Sequence, residues 1–205
     1  MNTNELIKLL KQKYPENKIA LHYKDPVQLL VATILSAQCT DVRVNKVTEF
    51  LFKKYHSAKD FADADQEVFE QEIKSTGFYR NKAKNIIECC KVLDKEYNGK
   101  VPNSLEILIN LPGIGRKTAN VVLGNAYGIP GIVVDTHVKR VSYRLGLTKN
   151  TNPEKIEFDL MELIPKKDWT HFSNTLVFHG RETCVARKPK CNICILEKLC
   201  PKVGL

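Results

Sequence analysis

Apolar residues recur three and four positions apart through most of the chain, and two-residue alternation is almost absent. That is the periodicity of helices packed by one face. Boundary signals cut the pattern into segments. Asp25-Pro26 supplies a cap followed by proline at the first helical position, ahead of VQLLVATILSAQ. Thr40 caps DVRVNKVTEFLFKKY; ADQEVFEQEIKSTG ends on Gly77, and YRNKAKNIIECCKVLDKEYNG ends on Asn98-Gly99. Both endings suit the left-handed residue that follows a last helical turn. Asn103 with Glu106 reads as a capping box opening a short helix up to Leu111, and Asn152-Pro153 and Asp168 start two more. About ten helices with short connections predict an all-α fold.

The run IPGIVV, 129–134, is the one strand-like piece, too short to build a sheet. Its Pro130 and Gly131 mark a seam, so two lobes are expected with a cleft where they meet. LLVATIL is far shorter than the ~18 apolar residues of a membrane span and predicts a buried helical segment. The N-terminal MNTNELIKLLKQKYPEN mixes charge into its apolar positions and reads as neither a secretory signal nor a membrane anchor.

The stretch LPGIGRKTANVVL brackets a tight turn between two glycines and then enters a helix. With Gly115 at the N-cap, Arg116 and Lys117 fall in the first turn, where the helix dipole disfavours cations. Glycine permits positive φ and leaves backbone amides uncovered, so Leu111, Gly113, Gly115 and Arg116 outline an anion site suited to a phosphate. Crowding by Arg116 and the dipole, with any partial burial, favours a neutral Lys117 amine, which is a nucleophile toward an electrophilic carbon. The helix from about Arg116 to Tyr127 advances ~18 Å. The return through 128–135 spans up to ~25 Å, enough to bring Asp135 back beside the helix start. There Asp135 caps THVKRVSYRLG.

Composition narrows the partners. The 205 residues carry a net charge of +9 and a pI near 9.1, which points to a polyanion, nucleic acid first, against a plain lysine-rich surface. Of seven cysteines, Cys39, Cys89 and Cys90 sit in helical patterns as core thiols. Cys184, Cys191, Cys194 and Cys200 are spaced C-x6-C-x2-C-x5-C, which favours a metal over disulfides in a chain without a secretory signal. Four thiolates suit zinc or an iron–sulfur cluster, and spacing alone does not choose. Arg187, Lys188 and Lys190 lie between the first two ligands, where a loop pinned by metal would present them to phosphate.

Together, LLVATILSAQCTDVRVNKV, TGFYRNKAKNI, LPGIGRKTANVVLGNA with VDTH, whose aspartate is 18 residues beyond Lys117, and HGRETCVARKPKCNICILEKLC resemble endonuclease III enzymes, which are DNA glycosylases and abasic-site lyases of the helix-hairpin-helix superfamily. The resemblance implies a six-helix barrel domain at 19–129 holding the hairpin at about 104–127. It also implies a cluster domain from 1–18 and 130–205, with the DNA cleft between the two. It implies a [4Fe-4S] cluster on the four cysteines, Lys117 as the Schiff-base lysine, and Asp135 as the essential aspartate. Gln38 matches the glutamine that fills the space of an extruded nucleotide, and Phe78 falls in the wedge loop, where leucine is common in the family. His137 matches the histidine of VDTH, in structural support or DNA contact. The implied protein is an intracellular, cytoplasmic monomer acting on double-stranded DNA that carries a damaged pyrimidine or an abasic site, with no membrane partner. Adenine-mismatch glycosylases of the same superfamily lack the lysine at this position. A DNA-binding module without catalysis would share the hairpin and the cluster.

Overall fold

The computed structural model describes residues 2–15 and 19–205. Eleven α-helices and no strand occur among them: α1 Thr3–Lys13, α2 Pro26–Leu35, α3 Asp41–Lys54, α4 Ala58–Ala62, α5 Gln66–Ile73, α6 Tyr79–Tyr97, α7 Leu105–Leu108, α8 Arg116–Ala126, α9 Thr136–Arg144, α10 Pro153–Leu163 and α11 Trp169–Glu182. The all-α expectation holds. None of the described helices is long and apolar enough to cross a membrane. The chain divides into two compact units, one of Ala20–Ile129 and one of Met1–Ile19 with Pro130–Leu205. The expected domain boundary at Lys18 lies outside the described residues.

In the unit Ala20–Ile129, α2 is the central helix. Eight of its residues, Gln28 to Leu35, are buried, as expected of a helix apolar on nearly every face. It packs on α3, α6 and α8. Asp25 accepts the Gln28 amide, and Pro26 follows, so the helix starts where the local signals place it. It stops at Leu35, earlier than its apolar pattern suggests: 36–39 closes a turn through a Cys39 N–H bond to Ser36 O of 3.1 Å, with Gln38 at φ 53°. That turn corrects one expectation, since Cys39 is half-exposed in a loop and only Cys89 and Cys90 are core thiols. Burial pushes the Cys89 thiol up to about 12, as befits an inert core group. Tyr55, Phe61 and Phe69 close the far end, with ring centroids 5.0, 5.5 and 6.0 Å apart. The short helix before the hairpin is capped by Ser104, which accepts from Ile107, and not by Asn103. A cap one residue later bonds the same turn without Glu106 at its third position.

In the other unit, α1, α9, α10 and α11 surround a core that includes Leu6, Leu10, Ile132, Val138, Val141, Leu160, Phe172 and Leu176. Residues 129–134 form no strand. Ile132, Val133 and Val134 are buried, and the amide of Gly131 donates to Thr170 Oγ1 at 3.2 Å in place of a ladder partner. Asp168 precedes α11 but does not cap it with its side chain; that carboxylate instead takes the ammonium of Lys11 at 2.6 Å. Lys13 reaches Thr183 Oγ1 at 3.1 Å and Glu182 at 3.3 Å, so two lysines fasten α1 to the ends of α11.

Candidate functional site

The hairpin belongs to the first of these units. Gly113 has φ 73°, and an added Cβ would stand 2.6 Å from Cβ of Asn85 on α6, so both conformation and space demand glycine. Gly115 differs from expectation. Its φ is −91° and ψ 169°, extended backbone open to any residue, and a Cβ there would meet nothing of the chain within 4 Å. What its missing side chain leaves open is the approach to the helix start. Gly115 caps α8 with no side-chain acceptor, and the first turn holds no acidic residue. Gly115 thus brings no side-chain acceptor to the positive end of α8.

Leu111 is buried, so only its backbone faces the turn, where its carbonyl accepts the Ile114 amide at 3.1 Å. Arg116 is half-buried. Lys117 is exposed, which corrects the partial burial considered for it. The buried residues of α8 are Ala119, Asn120, Val122 and Leu123, and two positions before Ala119 the helix has turned to the opposite side. Gln38 and Phe78 are exposed, both with positive φ, at 53° and 49°.

In the second unit, Asp135 caps α9, and its Oδ1 accepts the amides of His137 and Val138 at 2.8 Å each. Oδ2 is not used by the cap. Burial and the charges of Arg140 and Arg181 hold His137 below the usual histidine range against the pull of Asp135. Its Nδ1 lies 3.2 Å from Arg140 Nη2, and a Cβ added to Gly180 of α11 would stand 3.0 Å from the His137 Cβ, a tight contact.

Cys184, Cys191, Cys194 and Cys200 line one cavity, which Arg144 and His179 also border. Burial pushes the thiols of Cys194 and Cys200 up, and the neighbouring thiols add to the rise. N–H groups face the sulfurs: Arg144 Nη1 donates to Cys184 Sγ at 3.5 Å and the Lys202 amide to Cys200 Sγ at 3.4 Å. His179 Nε2 is 3.5 Å from Cys194 Sγ, while its Nδ1 is 3.3 Å from the Tyr14 hydroxyl. Burial, then Lys13, lowers His179 to about 4, so the neutral ring with its proton on Nε2 would donate to sulfur and accept from tyrosine. Among the described residues, no three His, Cys, Asp or Glu side chains converge closely enough to hold one metal ion.

Arg187, Lys188 and Lys190 are exposed on the 184–191 loop. Arg144, which no local sequence pattern marks, holds that loop as well. This nearly buried guanidinium donates to Val185 O at 2.7 Å and Ala186 O at 2.9 Å, and Arg140 Nε donates to Cys184 O at 3.1 Å. An arginine satisfied by carbonyls leaves no sequence signature, whereas His179 and Gly180 did fall within the conspicuous run HGRETC.

An all-helical fold in which a glycine hairpin feeds a basic, side-chain-uncapped helix defines a helix-hairpin-helix protein. The family described as HhH-GPD superfamily base excision DNA repair protein matches residues 31–166. The chain belongs to this family. It is 57% identical to endonuclease III of Synechocystis sp. over 198 residues, 96% of this chain and 90% of that relative. Against endonuclease III of Escherichia coli (strain K12) the identity is 41%, over 96% and 93% of the two chains. Its fold matches the structure of a trapped endonuclease III–DNA covalent intermediate with a TM-score of 0.92 at 44% identity, covering 98% of this chain and 94% of that one.

Proposed function

We propose that this chain excises oxidised or otherwise damaged pyrimidines from duplex DNA and cleaves the abasic site through a Schiff base on Lys117. It is a base excision repair glycosylase and lyase, the activity of the endonuclease III relatives it resembles along nearly its whole length. The observation that carries the chemical reading is the exposed Lys117, in the first turn of a helix capped by a glycine that brings no side-chain acceptor. A phosphate bound by the amides near Gly113 and Gly115 would neutralise the cation crowding at that turn.

The reaction proceeds in balanced steps. The damaged nucleotide leaves the stack, at an unstacking cost that is lower for a damaged base. The Lys117 nitrogen attacks C1′ as the glycosidic C–N bond breaks and its electron pair leaves with the base, which takes up a proton. The sugar ring opens and the amine loses a proton to give an imine. The imine makes the C2′ hydrogen acidic; its removal expels the 3′ phosphate and cuts the strand 3′ to the lesion. Asp135 stabilises the positive sugar and assists the proton transfers with the oxygen its cap leaves unused. Gln38 fills the space of the extruded nucleotide and Phe78 wedges the duplex. His137 supports the Asp135 turn.

The four cysteines would hold a [4Fe-4S] cluster. Four cysteines around one cavity, with N–H donors facing the sulfurs of Cys184 and Cys200, fit such a group. The cluster would supply a structural clamp with all ligand positions filled, fixing the loop that presents Arg187, Lys188 and Lys190 to DNA phosphates. The unit of Met1–Ile19 with Pro130–Leu205 is then the cluster domain, and Ala20–Ile129 the barrel domain.

Borohydride reduction in the presence of an abasic or thymine-glycol duplex should give a covalent protein–DNA adduct, and Lys117→Ala should abolish it. An adduct that persists in the variant moves the nucleophile elsewhere. No adduct from the wild-type chain, with salt-dependent DNA binding intact, leaves a binding module.

A further inference from the structure

Lys82, near the start of α6, is 5% exposed, and its ammonium donates to Leu35 O and to Thr76 O at 2.8 Å each. Neither partner is charged. Burial lowers this lysine from its usual range, with Cys39 opposing, so the position carries a cost that an apolar side chain would avoid. Its neighbours Ala83 and Ile86 are fully buried and apolar, as packing alone would have it.

What the two carbonyls share is their position. Leu35 ends α2, and three residues on stands Gln38, exposed, with φ 53°. Thr76 ends a 3-10 turn, and two residues on stands Phe78, 64% exposed, with φ 49° and ψ 28°. Left-handed backbone is unusual for residues other than glycine and persists where the surroundings over-determine it. A carbonyl at a helix end also lacks an intrahelical donor. Lysine answers both ends from one atom, since its nitrogen carries three donors.

We infer that Lys82 is a positioning residue that ties the bases of the 36–39 and 77–78 loops together, so that Gln38 and Phe78 meet the duplex as one preorganised pair. The inference rests on the proposed function, in which these two side chains enter the stack. Loops tied to one buried nitrogen need not be ordered when the nucleotide leaves, and that ordering cost would otherwise fall on the extrusion step.

The test compares borohydride trapping on one oligonucleotide with an abasic site, presented as a duplex and as a single strand. The single strand needs little extrusion. In K82M, duplex trapping should slow about tenfold while single-strand trapping stays within about twofold of wild type. K82R, which keeps the donors, should recover part of the duplex rate. Equal slowing on both substrates, or an unchanged duplex rate, overturns the inference. If K82M does not fold, K82Q, which keeps one donor group, is read for the same ratio with the same outcomes. A wild-type chain that forms no adduct on either substrate overturns the lyase reading and this inference with it. A normal wild-type adduct with an unchanged ratio overturns the inference alone.

Discussion

Gly113 and Asn85 touch so closely that a Cβ on the glycine would stand 2.6 Å from Cβ and 2.8 Å from Cγ of the asparagine. Two residues on, Gly115 has empty space where its Cβ would be. The two glycines of one turn thus have different reasons to be glycine, and substitution separates them. Gly113→Ala combines left-handed strain with overpacking and should cost roughly 2–4 kcal/mol of stability. Gly115→Ala gives up only a modest N-cap preference, about 1 kcal/mol or less, yet narrows the approach to the α8 amides. Thermal unfolding should therefore single out Gly113→Ala. Duplex DNA affinity, measured on the folded Gly115→Ala protein, should fall with little stability loss.

The pair of Lys11 and Asp168 predicts an asymmetry. The lysine side chain is 45% exposed and the aspartate 8%. Lys11→Met strands a carboxylate away from water, whereas Asp168→Asn strands an ammonium that water already reaches. Lys11→Met should cost about 2 kcal/mol and Asp168→Asn about 1 kcal/mol in denaturant unfolding. The reverse order would show that Asp168 is not held by this contact.

Arg144 holds three successive residues of the 184–191 loop through Cys184, Val185 and Ala186. Arg144→Met should free those carbonyls and expose the loop to trypsin, with cleavage after Arg187. Where the cluster is present, its absorbance near 400 nm should bleach faster in air than in the wild type. An intact loop with unchanged bleaching would mean that the sulfur ligands alone suffice.

Burial, reinforced by Lys11, lowers the pKa of His171 from its ordinary value, and Asp168 only partly offsets this. Below about pH 6.5 the unfolded chain takes up a proton at this ring before the folded chain does, so this histidine subtracts stability as pH falls through that window. Unfolding temperatures measured at pH 7.5 and pH 5 should differ less for His171→Gln than for wild type. An equal difference would assign the acid sensitivity to other groups.

Local signals located most helix starts. Asp25-Pro26, Thr40 and Asn152-Pro153 act on amides two or three residues away, and the caps form there as expected. Where two neighbouring residues could both cap, as at Asn103 and Ser104, the capping-box spacing pointed to Asn103, and the chain took Ser104. Asp168 shows the opposite case, a residue suited to capping that is claimed by a distant ammonium. The hairpin was legible for the same local reason, although the conformation of Gly115 was not.

The sequence by itself determined the helical periodicity, the caps, the glycine turn that places Lys117 in a first turn, and the spacing of the four cysteines. These depend on residues close along the chain, whose geometry is nearly the same in any protein. Tertiary structure alone decided that Lys82 would be buried between Leu35 and Thr76, that Arg144 would hold the 184–191 loop, and that Gln38 and Phe78 would take left-handed backbone. The first two depend on which carbonyls folding leaves without a donor, and that is settled only when segments far apart in sequence pack against one another.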